Sequence, residues 1–231
     1  MGESAEMRPA ALIFDVFGTC VDWRTSIARE VETVLPQVNA LQFADAWRAE
    51  YQPAMERIRS GNRGYVALDD LHRENLAIVA ERFSVELKDP SDLAGAWERL
   101  VPWPDVVSGL NVLKRKAIIA PCSNGSIALM TRLAKFGGLP WDCILGADIA
   151  RDYKPKPLVY TNCCAVLRLD PAQVMMVAAH NDDLLAAAGC GLQTAFVPRR
   201  REHGPDQRTD LQPTGNWTVV AADFMELAQA I

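Results

Sequence analysis

Five short apolar runs punctuate the chain: ALIFD (Ala11 to Asp15), AIIAPCS (Ala117 to Ser123), CILGAD (Cys143 to Asp148), VMMVAA (Val174 to Ala179) and TAFVP (Thr194 to Pro198). Their length and aliphatic content predict strands buried on both faces. From Ala117 onward they alternate with stretches of helical periodicity, SIALMTRLAKFGG and PLVYTNCCAVLRL. Such alternation predicts an α/β fold with a parallel sheet covered by helices on both sides. Gly137 and Gly138 close the first of those helices, as a C-terminal cap requires.

Between Cys20 and Asp105 the pattern changes. Amphipathic segments dominate, among them SIAREVETVLPQV, FADAWRAEYQPAMERIRSG and LDDLHRENLAIVAERF, and strand-like runs are missing. The sheet begins at Ala11 and resumes near Ala117, so residues 20–105 are expected to form a helical domain spliced into a discontinuous core of residues 1–19 and 106–231. VPWPDV (Val101 to Val106), with two prolines, is expected to be the return linker.

Composition narrows the function classes. The 231 residues are 49% hydrophobic and 23% charged with a net charge of −5, which fits a globular chain. The basic run VPRRRE (Val197 to Glu202) stands without interleaved aromatics, so no nucleic-acid partner is expected. No apolar window approaches the roughly 20 residues of a membrane span, and MGESAEMRPA lacks a secretory apolar segment, so a cytoplasmic location is expected. Six cysteines include no C-x-x-C pair and read as reduced thiols packed in buried elements.

Candidate chemistry sits where each apolar run ends, since open parallel sheets bind ligands beyond the carboxyl ends of their strands. Asp15 follows the first run, and a charge at the end of a buried strand must be paired or used, either as a nucleophile or as a local cap. Ser123 and Asn124 follow the second run and are expected to open a helix, as anion binders or caps. Lys154 lies in the Pro-punctuated RDYKPKP loop, where it either orients Asp15 by charge or is solvated, with Lys156 as a competitor. His180 and Asp183 follow the fourth run. Asp183 reads as a helix cap or as a group that orients water, and His180 as a proton-transfer or structural histidine.

Taken in order, DVFGT, SNG, YKP and the Asp opening the fourth post-strand helix resemble the haloacid dehalogenase superfamily, over nearly the whole chain. Within it the chain is most similar to the L-2-haloacid dehalogenases. The resemblance implies a Rossmann-like core with an inserted helical cap domain. It also implies hydrolysis of the carbon–halogen bond of a short 2-haloacid through an aspartyl ester on Asp15. Thr19 and Lys154 would orient that carboxylate, and Ser123 with backbone N–H groups would receive the substrate carboxylate. Arg48, in AWRAEY, and Asn124 would face the halide ion, and Tyr160, in PLVY, matches a tyrosine near the site.

Phosphatases dominate the superfamily, and two positions bear on the choice. They carry a second Asp two residues after the nucleophile to protonate an alkoxide, where this chain has Phe17. A halide leaves without a proton. They also hold Mg²⁺ with a GD pair in the fourth motif, where this chain has Ala178 and Ala179. The implied enzyme is therefore metal-independent and takes no cofactor, acting on haloacetates, L-2-halopropionates and, with enough donors at the leaving group, fluoroacetate. The alternatives are a phosphatase or phosphonate hydrolase of the same fold, or a catalytically silent member. Ala178 and His180 stand where the dehalogenases usually have Ser and Asn. His180 together with Asp183 is thus expected to position or deprotonate the hydrolytic water, and His180 to assist a departing halide. Phe17, Trp23, Tyr65 and Trp103 suggest a compact pocket. Members often form homodimers, which extends here by analogy.

Overall fold

The computed structural model describes residues 8–231. Residues 1–7, where the sequence reading opens its core domain and finds no leader, lie outside the described residues. In chain order the strands are β1 (Ala11–Phe14), β2 (Val21–Asp22), β3 (Val101–Pro102), β4 (Ile118–Ser123), β5 (Leu145–Gly146), β6 (Val174–Ala178), β7 (Gln193–Phe196) and β8 (Val219–Val220). The helices are α1 (Trp23–Val34), α2 (Ala40–Ala49), α3 (Tyr51–Arg59), α4 (Leu68–Arg82), α5 (Pro90–Ala94), α6 (Val106–Leu113), α7 (Ile127–Gly137), α8 (Ala147–Ala150), α9 (Pro157–Leu167), α10 (Asn181–Gly189) and α11 (Phe224–Ala230).

Six strands make one sheet in the order β5-β4-β1-β6-β7-β8, with every neighbouring pair parallel. β1 is central and fully buried, so both faces of its run are apolar. Leu12 and Phe14 join a core that includes Val106, Leu110, Phe224 and Leu227 of α6 and α11. Ala11 and Ile13 face the other way, toward Val159 and Cys163 of α9 and Leu184 and Ala187 of α10. Alternation across the strand thus packs helices on both sides, which gives the α/β, Rossmann-like core.

Helices α1 to α5 form the inserted cap, entered and left through an antiparallel ribbon in which Val21 pairs with Pro102 and Asp22 with Val101. Val101 and Pro102, at the start of the VPWPDV linker, pair in that ribbon, and backbone pairing across two residues needs no apolar run to announce it. The stretch from Phe43 to Gly61 is two helices, α2 and α3, meeting at Glu50. Cap and core share one apolar cluster through Phe17, Val21, Trp23 and Trp97. Hydrogen bonds tie them as well: Tyr153 Oη donates to Val66 O at 2.6 Å, and Arg59 Nη1 to Lys154 O at 2.8 Å. All six cysteines are free thiols. Among the described residues no helix is long and apolar enough to cross a membrane.

Candidate active site

The carboxyl ends of β1, β4 and β6 lie side by side, and the loops that leave them build the site. Asp15 extends the β1 ladder, its N–H donating to Val177 O at 3.0 Å, and the chain then turns sharply, with Cys20 N–H returning to Val16 O at 2.9 Å. Gly18 sits in this turn at φ +91°, and a Cβ there would lie 2.0 Å from Glu202 Oε1. Only glycine fits both the backbone and the space.

The Asp15 carboxylate is 10% exposed and receives donors on both oxygens. Lys154 Nζ donates to Oδ1 at 2.8 Å, Thr19 Oγ1 donates to Oδ2 at 2.7 Å, and His180 Nδ1 stands 3.2 Å from Oδ2. The Thr19 hydroxyl is itself fixed by the Ala179 N–H, at 2.9 Å. Burial alone would raise the Asp15 pKa, but Lys154 and His180 overturn that and hold the carboxyl far below the usual range. The group is therefore an ionised carboxylate set in an apolar strand end.

Lys154 Nζ lies between two acids, 2.8 Å from Asp15 Oδ1 and 2.5 Å from Asp183 Oδ2. Burial disfavours its charge, yet the two carboxylates push its pKa well above the ordinary lysine value. Tyr160 completes the row by donating to Asp183 Oδ1 at 2.5 Å, and burial together with Asp183 raises its phenol. Asn124 Oδ1 accepts the Lys154 backbone N–H at 2.9 Å, which anchors the lysine loop to β4.

His180 departs from the arrangement its sequence position suggests. Its partner is not Asp183 but Glu202, whose Oε2 is 2.8 Å from Nε2. Burial works against the imidazolium, but Glu202 and Asp15 together raise the His180 pKa well above its ordinary value. The ring is therefore a cation at neutral pH and a poor base, and both its nitrogens are engaged by carboxylates, leaving neither N–H for a halide. Glu202 is 2% exposed, and Trp23 Nε1 donates to its Oε1 at 3.0 Å. Burial would raise the Glu202 carboxyl, but His180, His203 and Arg48 bring it below the usual glutamate value.

Glu202 and Arg199 escape a reading of the sequence because they sit in VPRRRE, which has the look of a solvated basic run. Arg199 is 8% exposed. It donates to Thr19 O at 2.9 Å through Nε and forms a bidentate pair with Asp105 at 2.7 and 2.9 Å. No periodicity marks either residue as buried. The close Gly18 turn is the one sequence signal that something large packs against it.

The cavity above these groups has a volume of about 630 Å³, and its lining includes Asp15, Phe17, Arg48, Tyr51, Tyr160 and His180. Of the four aromatic residues expected at its mouth, Phe17 lines it. Among the described residues its lining does not include Tyr65, Trp103 or Trp23. Tyr65 donates to Asp148, Trp103 to Gly18 O, and Trp23 to Glu202. Arg48, on α2, stacks 4.0 Å over Tyr51 and 5.3 Å over Trp23, and its Nη1 is buried without a protein partner. Ser123 is fully buried outside the lining, its Oγ accepting Gly125 N–H at 3.0 Å. Neither Ser123 nor Asn124 opens the following helix. Ser126 caps α7 by accepting the Leu129 N–H, and α10 starts at Asn181 with Asp183 in its first turn.

A divalent ion bridging Asp15 and Asp183 would have to occupy the place that Lys154 Nζ takes, and Ala178 and Ala179 offer no carboxylate. Among the described residues no three His, Cys, Asp or Glu side chains are grouped to hold a metal ion. The donor set does not fit Mg²⁺.

The family model for haloacid dehalogenase-like hydrolases matches residues 9–191. The chain belongs to the haloacid dehalogenase-like hydrolases. Its fold superposes on the defluorinating L-2-haloacid dehalogenase Rha0230 with a TM-score of 0.95 at 47% identity, covering 99% of this chain and 98% of that one. The L-2-haloacid dehalogenase PA0810 gives 0.93 at 42% identity, over 96% and 99%. The (S)-2-haloacid dehalogenase 4A of Burkholderia cepacia is 29% identical, over 82% of this chain and 83% of that enzyme. Phosphoglycolate phosphatases of Psychrobacter arcticus and Neisseria meningitidis are 26% and 28% identical, over 88% and 78% of this chain and 89% and 77% of those enzymes.

Proposed function

We propose that this hydrolase cleaves the carbon–halogen bond of short L-2-haloacids without a metal, through an ester on Asp15. The observation that carries the reading is the Asp15–Lys154–Asp183 row, in which an ammonium fills the position between two carboxylates. Phe17 in place of a second acid and the similarity to 2-haloacid dehalogenases support it.

Asp15 Oδ2 accepts from Thr19 and is flanked by His180 Nδ1 at 3.2 Å, while Oδ1 meets Lys154 alone and keeps a lone pair. Oδ1 is therefore the attacking atom. It forms a bond to the halogen-bearing carbon as the halide departs with the bonding electrons, and no proton is required. Arg48, with its unpartnered Nη1, is the cation that meets the halide, and Asn124 in the same lining assists it. With Ser123 outside the lining, the substrate carboxylate is received by backbone N–H groups of the turns after β1 and β4. In the second half, water adds to Cγ of Asp15 and gives a proton to Asp183. The Cγ–Oδ1 bond then breaks, and the departing 2-hydroxyacid oxygen takes a proton from Lys154, which Asp183 restores. The water's other proton leaves as the new Asp15 carboxyl ionises. The six free thiols suit a reducing compartment, which supports a cytoplasmic location.

The test is halide release from chloroacetate, fluoroacetate and each enantiomer of 2-chloropropionate in EDTA. Release by the intact protein, none by Asp15→Asn, and preference for the L enantiomer are expected. Release abolished by EDTA, or hydrolysis of phosphoglycolate with Mg²⁺ in place of any halide release, would favour a phosphatase.

A further inference from the structure

One part of the site has no role in the reaction as written, namely the buried chain Trp23–Glu202–His180 that ends on Asp15 Oδ2. Trp23 Nε1 lies 3.0 Å from Glu202 Oε1, Glu202 Oε2 lies 2.8 Å from His180 Nε2, and His180 Nδ1 lies 3.2 Å from Asp15 Oδ2. Three observations show that this arrangement is built. Glu202 is 2% exposed, and the Gly18 turn closes so tightly on its carboxylate that no Cβ is tolerated. His180 sits at the junction of β6 and α10, where the backbone of a fully buried strand fixes it. Thr19, which donates to Oδ2, is locked by Ala179 N–H and by Arg199 on its carbonyl.

Esterification changes what these donors face. Before it, His180 is held between two carboxylates. Once Oδ1 carries the substrate carbon, Asp15 is neutral and Oδ2 is an ester carbonyl. Water addition to Cγ then places a full negative charge on Oδ2, where the Thr19 hydroxyl already donates and His180 Nδ1 stands 3.2 Å away. Preorganised donors aimed at developing charge lower such a barrier more than they stabilise the ground state.

We propose that His180 Nδ1–H and Thr19 Oγ1–H form the oxyanion site for hydrolysis of the Asp15 ester, and that Glu202 is the positioning residue that keeps His180 a cationic donor after the Asp15 charge has gone. This rests on the ester reading above. The groups facing His180 from other elements agree with the assignment. Asp15 and Lys154 lie on one side, and Glu202 lies on the other, with His203 Nε2 3.7 Å from its second oxygen. Arg48 acts on Glu202 only from a distance, and Asp183 is occupied by Lys154 and Tyr160. No other acid contacts the His180 ring among the described residues, so Glu202 alone can hold the charge there. Its effect should fall on the second half-reaction and spare the first.

The experiment is rapid-quench kinetics with L-2-chloropropionate, scoring chloride released and, by mass spectrometry, the propionate ester on the Asp15 peptide. The wild type should turn over with little ester present. Glu202→Gln preserves shape but cannot hold the imidazolium. It should release one equivalent of chloride per site at a rate within about threefold of wild type, accumulate the ester, and lose about 10- to 100-fold in kcat. Glu202→Asp, which restores the charge, should recover part of kcat and reduce the ester. His180→Gln should accumulate ester as Glu202→Gln does, and it serves as the second probe if the Glu202 variant does not fold. The proposal is overturned if both variants hydrolyse the ester at the wild-type rate, or if the chloride burst slows by the same factor as kcat. Should the wild type itself form no ester and release no chloride, the dehalogenase reading fails first, and that outcome is separate from the others.

Discussion

Replacing Lys154 with Met removes the one charge that lies within 2.8 Å of Asp15 and 2.5 Å of Asp183 while keeping most of the side-chain volume. Both carboxylates are about 10% exposed. Removing one partner of a buried ion pair costs about 3–5 kcal/mol, because the remaining charge stays desolvated. At ~2–4 °C per kcal/mol for a chain of this size, that is a fall of about 6–20 °C in Tm. Asp15→Asn is the control. Lys154 keeps Asp183 and His180 keeps Glu202, so its cost should stay near 1–2 kcal/mol, roughly that of imperfectly paired hydrogen bonds.

The pH dependence separates the two causes. In the wild type the folded Asp15 carboxyl lies below its unfolded value of about 3.9, so its stabilisation is full above about pH 5 and is lost as pH falls. Without Lys154, burial of Asp15 is opposed mainly by His180, so the Asp15 carboxyl rises, and the penalty is greatest at neutral pH and eases on acidification. Thermal melts of the three proteins between about pH 7 and 4.5 measure this. A Lys154→Met protein within about 2 °C of wild type near pH 7, or one that loses stability on acidification in parallel with wild type, would refute the reasoning.

Other changes test the surrounding frame. Gly18→Ala combines a positive φ with a 2.0 Å approach to Glu202, and it should cost at least ~2 kcal/mol in denaturant melts and sharply reduce turnover. Arg199→Met strands the Asp105 carboxylate and frees the Thr19 carbonyl. It should cost about 3 kcal/mol and lower kcat with KM little changed, as chloride-release kinetics would show. Tyr160→Phe removes a hydrogen bond to a charged acid, and kcat should fall about 10-fold in the same assay while the chloride burst persists.

The parts of this protein legible in sequence are those that repeat a physical rule. β1, β4 and β6 are mostly apolar runs because the sheet is buried on both faces, with Asp15 directly after β1 and Asp183 in the first turn of the helix after β6. The two-residue β8 leaves no such run and its pairing is settled by neighbours already in place, whereas β5 falls within the apolar run CILGAD. The site residues that escape notice do so for a related reason. Arg199 and Glu202 look like surface charge in VPRRRE, and only the fold buries them, opposite Asp105 and His180. Ser123 and Asn124 mislead in the opposite sense. A polar pair after a strand reads as a helix start, but the turn runs on to Ser126 before the helix begins.

Asp15 leaves the ribosome early, while the groups that neutralise it are far along the chain. Lys154 is 139 positions away, and Glu202 is joined to Trp23 across 179. Closing such long loops costs entropy before any contact repays it. During synthesis the central strand must therefore wait, its acid in water, until most of the protein has been made. A chain interrupted before Glu202 would hold Asp15 and Lys154 but leave His180 without its second acid. The charges that equip the site for chemistry are thus satisfied together only once the chain has passed β7 and reached Glu202.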